Sequence, residues 1–345
     1  MLVPRARITI TMLLLILVAA DIMLLPACQT KNRTEVVVYT SVDQIYSEPI
    51  LKKFEAESGV RVLPVFDVEA TKTTGLVNRL IAERERPQAD VFWNGEFAQT
   101  IMLKEKGILS AYDSPHAAGI PAQYRDPEKC WTGFAGRARV LLINTSLLAT
   151  QNYPHSLFDL LESRYRPEQV GIAYPMFGTT ATHAAALYAA LGDDNGRTFF
   201  DTVKQRGIRV VDGNSVVRDL VASGQLSIGL TDTDDACGAL KNKAPVKVIF
   251  PDQDGLGTLI IPNTVALINN APHSDNAKRL IDFLLSTEVE NLLIESGWSH
   301  LALRPTRAVP QLLETANIKG MAVNLIDVYS KLETVKKDMT QIFIR

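Results

Sequence analysis

The chain has 345 residues, of which 46% are hydrophobic, 21% charged and 7% aromatic, and its formal net charge is −2. That composition excludes a disordered, collagenous or coiled-coil chain, and 36 basic against 38 acidic residues leave no basic excess to hold a nucleic acid. Three cysteines are too few for a disulfide-built scaffold, and the length suits two domains that each bury a core.

At the N-terminus, Arg5 and Arg7 precede apolar runs from Ile8 to Ala20 and from Ile22 to Ala27, the layout of a secretion signal. Leu24-Leu25-Pro26-Ala27-Cys28 resembles a bacterial lipobox, which implies cleavage before Cys28 and a lipid on its thiol. An uncleaved membrane anchor is the competing reading, because the apolar span approaches the length that crosses a bilayer. Ala27 favours the lipoprotein, and Asp21 is an awkward charge for either. Residues 1–27 are therefore expected to be a lipoprotein signal peptide and 28–34 a polar tether, with the mature chain outside the cytoplasm. Cys130 and Cys237 either pair in that oxidising compartment or remain two buried thiols.

From Glu35 onward, strands and helices alternate. A β-rich run over 35–39 is followed by an amphipathic helix over 47–58 that stops at Gly59, a strand over 60–66, a helix over 74–86 broken by Pro87, and a buried-type strand over 89–93. This βαβαβ order predicts a parallel sheet with right-handed crossovers. Ligands of such sheets sit at the carboxyl ends of strands, here the loop from Thr40 and Ser41 to Gln44 and the loop from Asn94 to Glu96. A second series has strands at 139–144, 170–174, 208–211, 226–230 and 246–250, with helices at 180–191 and 216–222. A strand over 259–268 passes Pro262, helices follow at 275–285 and 288–296, and 309–345 is helical in pattern.

Several loops carry chemistry. Asp232, Asp234 and Asp235 in Thr231-Asp-Thr-Asp-Asp235 suit a hard cation, or they cap a following helix. They lack the glycine and distal glutamate of an EF-hand. Gly178-Thr179-Thr180-Ala181-Thr182-His183 opens an Ala-rich helix whose free N–H groups suit an anion, with threonine hydroxyls as further donors. His183 faces either the cleft or the core. Gly213-Asn214-Ser215 repeats the arrangement more weakly. Arg137 and Arg139 share one face of an extended chain, where they bind an anion or form a hinge salt bridge. No nucleophile elbow, Walker loop, zinc-protease motif or dinucleotide fingerprint is present, so an enzyme is disfavoured.

Glu35-Val-Val-Val-Tyr-Thr-Ser41, Phe54-Glu-Ala-Glu-Ser-Gly-Val-Arg-Val62, Ala89-Asp-Val-Phe-Trp93, Gly133-Phe-Ala-Gly-Arg-Ala-Arg-Val140 and Gly255-Leu-Gly-Thr258, in this order, resemble bacterial extracellular solute-binding proteins of the ferric-ion ABC-importer type. The resemblance implies an α/β, two-lobe periplasmic-binding-protein fold of type II, with parallel-dominated sheets and crossing hinge strands near 137–140 and 258–261. It implies lobes of 35–138 plus 259–308 and 139–258 plus 309–345, a monomer that is lipid-anchored, and delivery of cargo to an ABC permease and its ATPase without catalysis. Ferric-binding relatives grip iron through adjacent tyrosines at positions that read Asp234-Asp235 here, and their first-loop histidine aligns with Asp43. Two cargoes are then expected. One is Fe(III) on Asp43, Glu96, Asp232, Asp234 and Asp235, with a synergistic anion on Gly178 to Thr180. The other is an organic solute such as a phosphonate or sugar phosphate, its anion on Gly178 to Thr182 and any cationic group on the aspartates. Thr40, Ser41, Asn94, Arg137, Arg139, His183, Asn214 and Ser215 are the remaining expected ligand contacts.

Overall fold

A computed structural model describes residues 34–67, 74–308, 312–313 and 317–343. The expected signal peptide, Cys28 and nearly all of the tether lie outside them. The chain divides into Met1–Thr34 and Glu35–Arg345, and the second unit holds everything that follows.

The first βαβαβ series comprises β1 (Glu35–Thr40), α1 (Gln44–Ser58), β2 (Arg61–Phe66), α2 (Thr74–Ala82) and β3 (Val91–Asn94). The β-branched run of β1 pairs in parallel with β2 and with β3. Helix α1 ends where Gly59 takes φ +68° and its N–H reaches the Glu55 carbonyl, a left-handed cap that a side chain would strain. Helix α3 (Ala98–Glu105), the short strand β4 (Leu109–Ser110) and the long strand β5 (Thr132–Asn144) come next. The second series is β6 (Val170–Ala173), α4 (Gly178–Leu191), α5 (Asp193–Arg206), β7 (Arg209–Val211), α6 (Asn214–Ala222), β8 (Ile228–Asp232), α7 (Thr233–Lys241) and β9 (Val246–Ile249). The chain then returns through β10 (Ile260–Ile268), α8 (Ser274–Leu284) and α9 (Thr287–Ser296) to α10 (Leu325–Phe343).

One path of strands runs β2-β1-β3-β10-β5-β8-β6-β7, with β4 on β10 and β9 on β5. Within each series the pairs are parallel; every antiparallel pair involves β5 or β10. These two strands therefore cross between the halves. Residues 132–138 of β5 face β10, and from Arg139 onward β5 faces β8.

Around that crossing the backbone is irregular. Ala135 sits at φ +42° and the β5–β10 register slips between Pro262 and Asn263. A Cβ on Gly136 would lie 2.8 Å from Ile260 and one on Gly133 2.8 Å from the Tyr124 carbonyl, so close approach requires glycine at both positions. Those glycines break the alternation of the segment, which explains why the sequence pattern shows only the 139–144 end of a strand that starts at Thr132.

Two helices were not expected: α3 begins in a segment that reads as a loop, and α5 follows α4 after one glycine. Of the two readings of the Asp232–Asp235 segment, the following helix is present as α7. The C-terminal expectation is also corrected: α10 covers only 325–343, and Gly320 in the extended segment before it bridges Thr258. α10 packs on α4 and α5, where Asp338 accepts from the Tyr188 hydroxyl and pairs with Arg197. Cys130 and Cys237 are both free thiols. Among the described residues no helix is long and apolar enough to cross a membrane.

A single carboxylate fastens the irregular part of β5. Glu290 on α9 is fully buried and accepts from Ala135 N at 3.1 Å, Leu303 N at 2.8 Å and Arg304 Nε at 2.8 Å. Glu290→Ala strands a buried guanidinium and two amides, and is expected to cost about 3 to 5 kcal/mol in urea unfolding. A loss below about 1 kcal/mol would show that the crossing does not depend on this carboxylate.

Candidate functional site

Register decides the centre of the site. Arg139 on β5 lies directly across from Asp232 at the end of β8, and both are buried, Arg139 at 0% exposure. Its Nη1 donates to Asp232 Oδ1 at 2.7 Å, Asn214 Oδ1 at 3.1 Å and Thr179 Oγ1 at 3.4 Å, and its Nε faces His183 Nδ1 at 3.4 Å. The other aspartate oxygen accepts from Thr179 Oγ1 at 2.5 Å and Asn214 Nδ2 at 3.0 Å. Thr180 Oγ1 completes the ring on Asn214 Oδ1 at 3.2 Å. The starts of α4 and α6 are thus tied to β5 and β8 through one ion pair. Arg139 Nη2 is buried without a hydrogen-bond partner.

Helix α4 begins at Gly178, whose φ of +54° bends the chain from Phe177 into the first turn. His183, one turn on, is buried; burial first and the adjacent Arg139 charge second push its pKa well below the ordinary value, so it is neutral. Of the two positions considered for His183, the structure shows the inward one, against Arg139. Thr182 Oγ1 bonds back to the Gly178 carbonyl at 3.3 Å within its own helix. Ser215 is exposed and outside the ring.

The second centre is the first turn of α7. Asp232, Asp234 and Asp235 each offer an oxygen within 4.8 Å of the others. Each also has an arginine: Asp232 pairs with Arg139, Asp234 Oδ2 with Arg137 Nη1 at 2.8 Å, and Asp235 Oδ1 with Arg218 Nη1 at 3.2 Å. Burial is the largest influence on Asp234 and works against ionising it, but the Arg137 charge and hydrogen bond, with smaller help from His300 and a backbone amide, together hold the group below its ordinary value. Asp235 is pushed up to about 7 by burial and then by Asp234 and Asp232. Asp234 Oδ1 is buried without a partner. Arg137 and Arg139 share a face of β5 as expected, but they serve different acids rather than gripping one anion together.

The loops of the first half are bonded among themselves. Thr40 Oγ1 accepts from Val42 N at 3.1 Å, Ser41 Oγ donates to Asn94 Oδ1 and accepts from Gly95 N at 3.0 Å, and Asn94 Nδ2 reaches Glu96 Oε1 at 3.2 Å. Glu96 caps α3, accepting from Ala98 N at 2.6 Å and Gln99 N at 2.9 Å, and burial raises its pKa. The five-carboxylate cluster is corrected on this geometry: Glu96 is spent on a helix start, Asp43 stands at the N-cap position of α1, and neither joins the three aspartates. Sequence reasoning missed Arg218 and Trp298, and it marked the loop that holds Gly95 without its carbonyl. Arg218 was within reach, four residues from Asn214 on one face of α6; nothing local marks Trp298.

Residues 87–321 match the family model described as bacterial extracellular solute-binding protein. The chain belongs to that family. Members are binding proteins, and the family is extracellular. Iron uptake protein A1 of Synechocystis sp. is 24% identical over 282 residues, covering 79% of this chain and 77% of the relative. The putative 2-aminoethylphosphonate-binding periplasmic protein of Salmonella typhimurium is 26% identical over 230 residues, covering 65% of each. The solved ferric binding protein from Campylobacter jejuni superposes with a TM-score of 0.79 over 90% of this chain and all of its own, at 20% identity. That likeness establishes the shared periplasmic-binding-protein fold, with its crossing strands.

The raised Asp235 gives a pH prediction. A carboxyl whose pKa is about 7 folded and near 3.8 unfolded retains its proton in the native state, so its contribution to stability is full at low pH and is lost as pH rises from about 4 to about 7. Urea midpoints of the ligand-free chain should fall across that window relative to Asp235→Asn, which lacks the group. Parallel profiles for the two proteins would show that Asp235 is not perturbed.

Proposed function

We propose that this chain is the extracytoplasmic substrate-binding lipoprotein of an ABC importer and that its cargo is an organic solute with an anionic group, of the phosphonate or sugar-phosphate class, whose cationic or hydroxyl part meets the aspartates of α7. The observation that carries this reading is a pair of buried atoms without partners, Arg139 Nη2 on one side and Asp234 Oδ1 on the other. A buried donor beside a helix start suits an anion, and a bare carboxylate oxygen suits a cation or a hydroxyl. Arg139 and Arg137 already pair with Asp232 and Asp234, which lowers the negative charge left for a trivalent ion. The kinship with a putative 2-aminoethylphosphonate-binding protein supports the same class.

Fe(III) with an accompanying anion is the second reading. It is favoured by the three aspartate oxygens lying within 4.8 Å of one another and by kinship with iron uptake protein A1. Iron would then be cargo, with Asp232, Asp234 and Asp235 as its protein ligands and the anion on Arg139 and α4.

In this account residues 1–27 are removed, Cys28 carries the lipid, and 28–34 tethers a monomer to the membrane. The lobes are 35–138 plus 259–308 and 139–258 plus 309–345, and they close on cargo by bending near 137–140 and 258–261. A permease and its ATPase receive the cargo; the chain itself turns nothing over.

Native mass spectrometry and elemental analysis of the purified mature chain separate the readings. A phosphorus-containing organic mass bound one to one, without iron, is expected. Stoichiometric iron would replace the first reading with the second. Under either, the double variant Asp234→Asn, Asp235→Asn is expected to fold and to lose at least about tenfold in affinity for the retained cargo by calorimetry. Unchanged affinity would remove α7 from the site.

A further inference from the structure

We propose that Arg137 is a clasp between the two halves of the sheet, seated where the cationic part of a solute belongs, so that binding must open it. The proposal deepens the reading of the site above and rests on its cation seat at Asp234. Arg137 stands on β5 two residues before Arg139, where that strand changes partner from β10 to β8. Its side chain is 12% exposed. Nη1 binds Asp234 Oδ2 on α7 at 2.8 Å, and Nη2 binds the Gly95 carbonyl, just after β3, at 3.1 Å. One guanidinium thereby links a helix of the second half to a loop of the first.

The linkage is incompletely bonded on both sides. Arg137 Nε and Asp234 Oδ1 are buried without partners. A buried ion pair whose remaining polar atoms are unsatisfied gives up less on exchange than a fully bonded one. A solute ammonium arriving at Asp234 satisfies the bare oxygen and competes for the bonded one. The displaced guanidinium has a place to go, because its carbon already lies 5.0 Å from the centre of the Trp298 ring, within cation–π reach. That ring is packed close to the loop: a Cβ on Gly95 would come within 3.3 Å of Trp298 Cζ2. Release of the Gly95 carbonyl frees the first-half loop to settle on the solute instead of on the protein.

The clasp is tested with Arg137→Gln, and with Arg137→Lys, which keeps the charge but lacks the fork that spans two acceptors. In small-angle scattering of the ligand-free chains, both variants are expected to show a larger radius of gyration than wild type. Calorimetry with 2-aminoethylphosphonate should show roughly tenfold tighter binding to Arg137→Gln, and with inorganic phosphate, which lacks the cation, less than about a twofold change. A shift in tryptophan emission on addition of 2-aminoethylphosphonate should occur in wild type and vanish in Trp298→Phe. Weaker binding of 2-aminoethylphosphonate to Arg137→Gln would make Arg137 a solute contact and overturn the clasp, as would radii equal to wild type in both variants. If wild type binds neither probe, the cargo class is wrong, and the scattering result alone decides for or against the clasp.

Discussion

The buried ion pair between Arg139 and Asp232 is the interaction on which the site depends. Removing two charges from water costs several kcal/mol per ion, and their mutual attraction offsets that only when the surrounding polar atoms are bonded as well. Thr179, Asn214 and Thr180 supply those bonds, and a neutral His183 stands behind. Each of these residues begins or opens a helix, so satisfying the pair fixes α4 and α6 against β5 and β8. The geometry leaves one guanidinium nitrogen over, and the proposed function assigns an anion to it.

An acid-rich segment has become a cluster in which arginines face the acids. Asp232 and Asp234 meet Arg139 and Arg137, while Asp235 shares Arg218 with Asp219. Their separate environments give them different tasks. Asp232 is structural, Asp234 is held ionised with one oxygen bare, and Asp235 keeps its proton toward neutrality. On the proposed function, an anion seat beside a cation seat would select a solute carrying both groups, and exclusion of water around it would strengthen each contact.

Much of this was legible in the residues. β-Branched runs, the stop at Gly59 and the break at Pro87 place β1, α1, β2, α2 and β3 within a few positions. Gly178 to His183 reads correctly as a helix start built from donors. Partner choice was not legible. Arg139 and Asp232 are 93 residues apart, and their meeting is set by the register of β5 on β8, which no local pattern encodes. For the same reason two arginines on one strand face go to different acids. The resemblance implies Glu96 as a metal ligand; only the start of α3 shows that backbone amides already occupy it. The long β5 was obscured by glycines that the crossing itself requires.

The central claim is that cargo binds with opposite charges on two named atoms. A crystal structure of the mature chain with the solute it retains through purification tests it directly. The account predicts an anionic group within hydrogen-bond distance of Arg139 Nη2 and a cationic or hydroxyl group on Asp234 Oδ1. Cargo seated elsewhere, with both atoms still without partners, would contradict it.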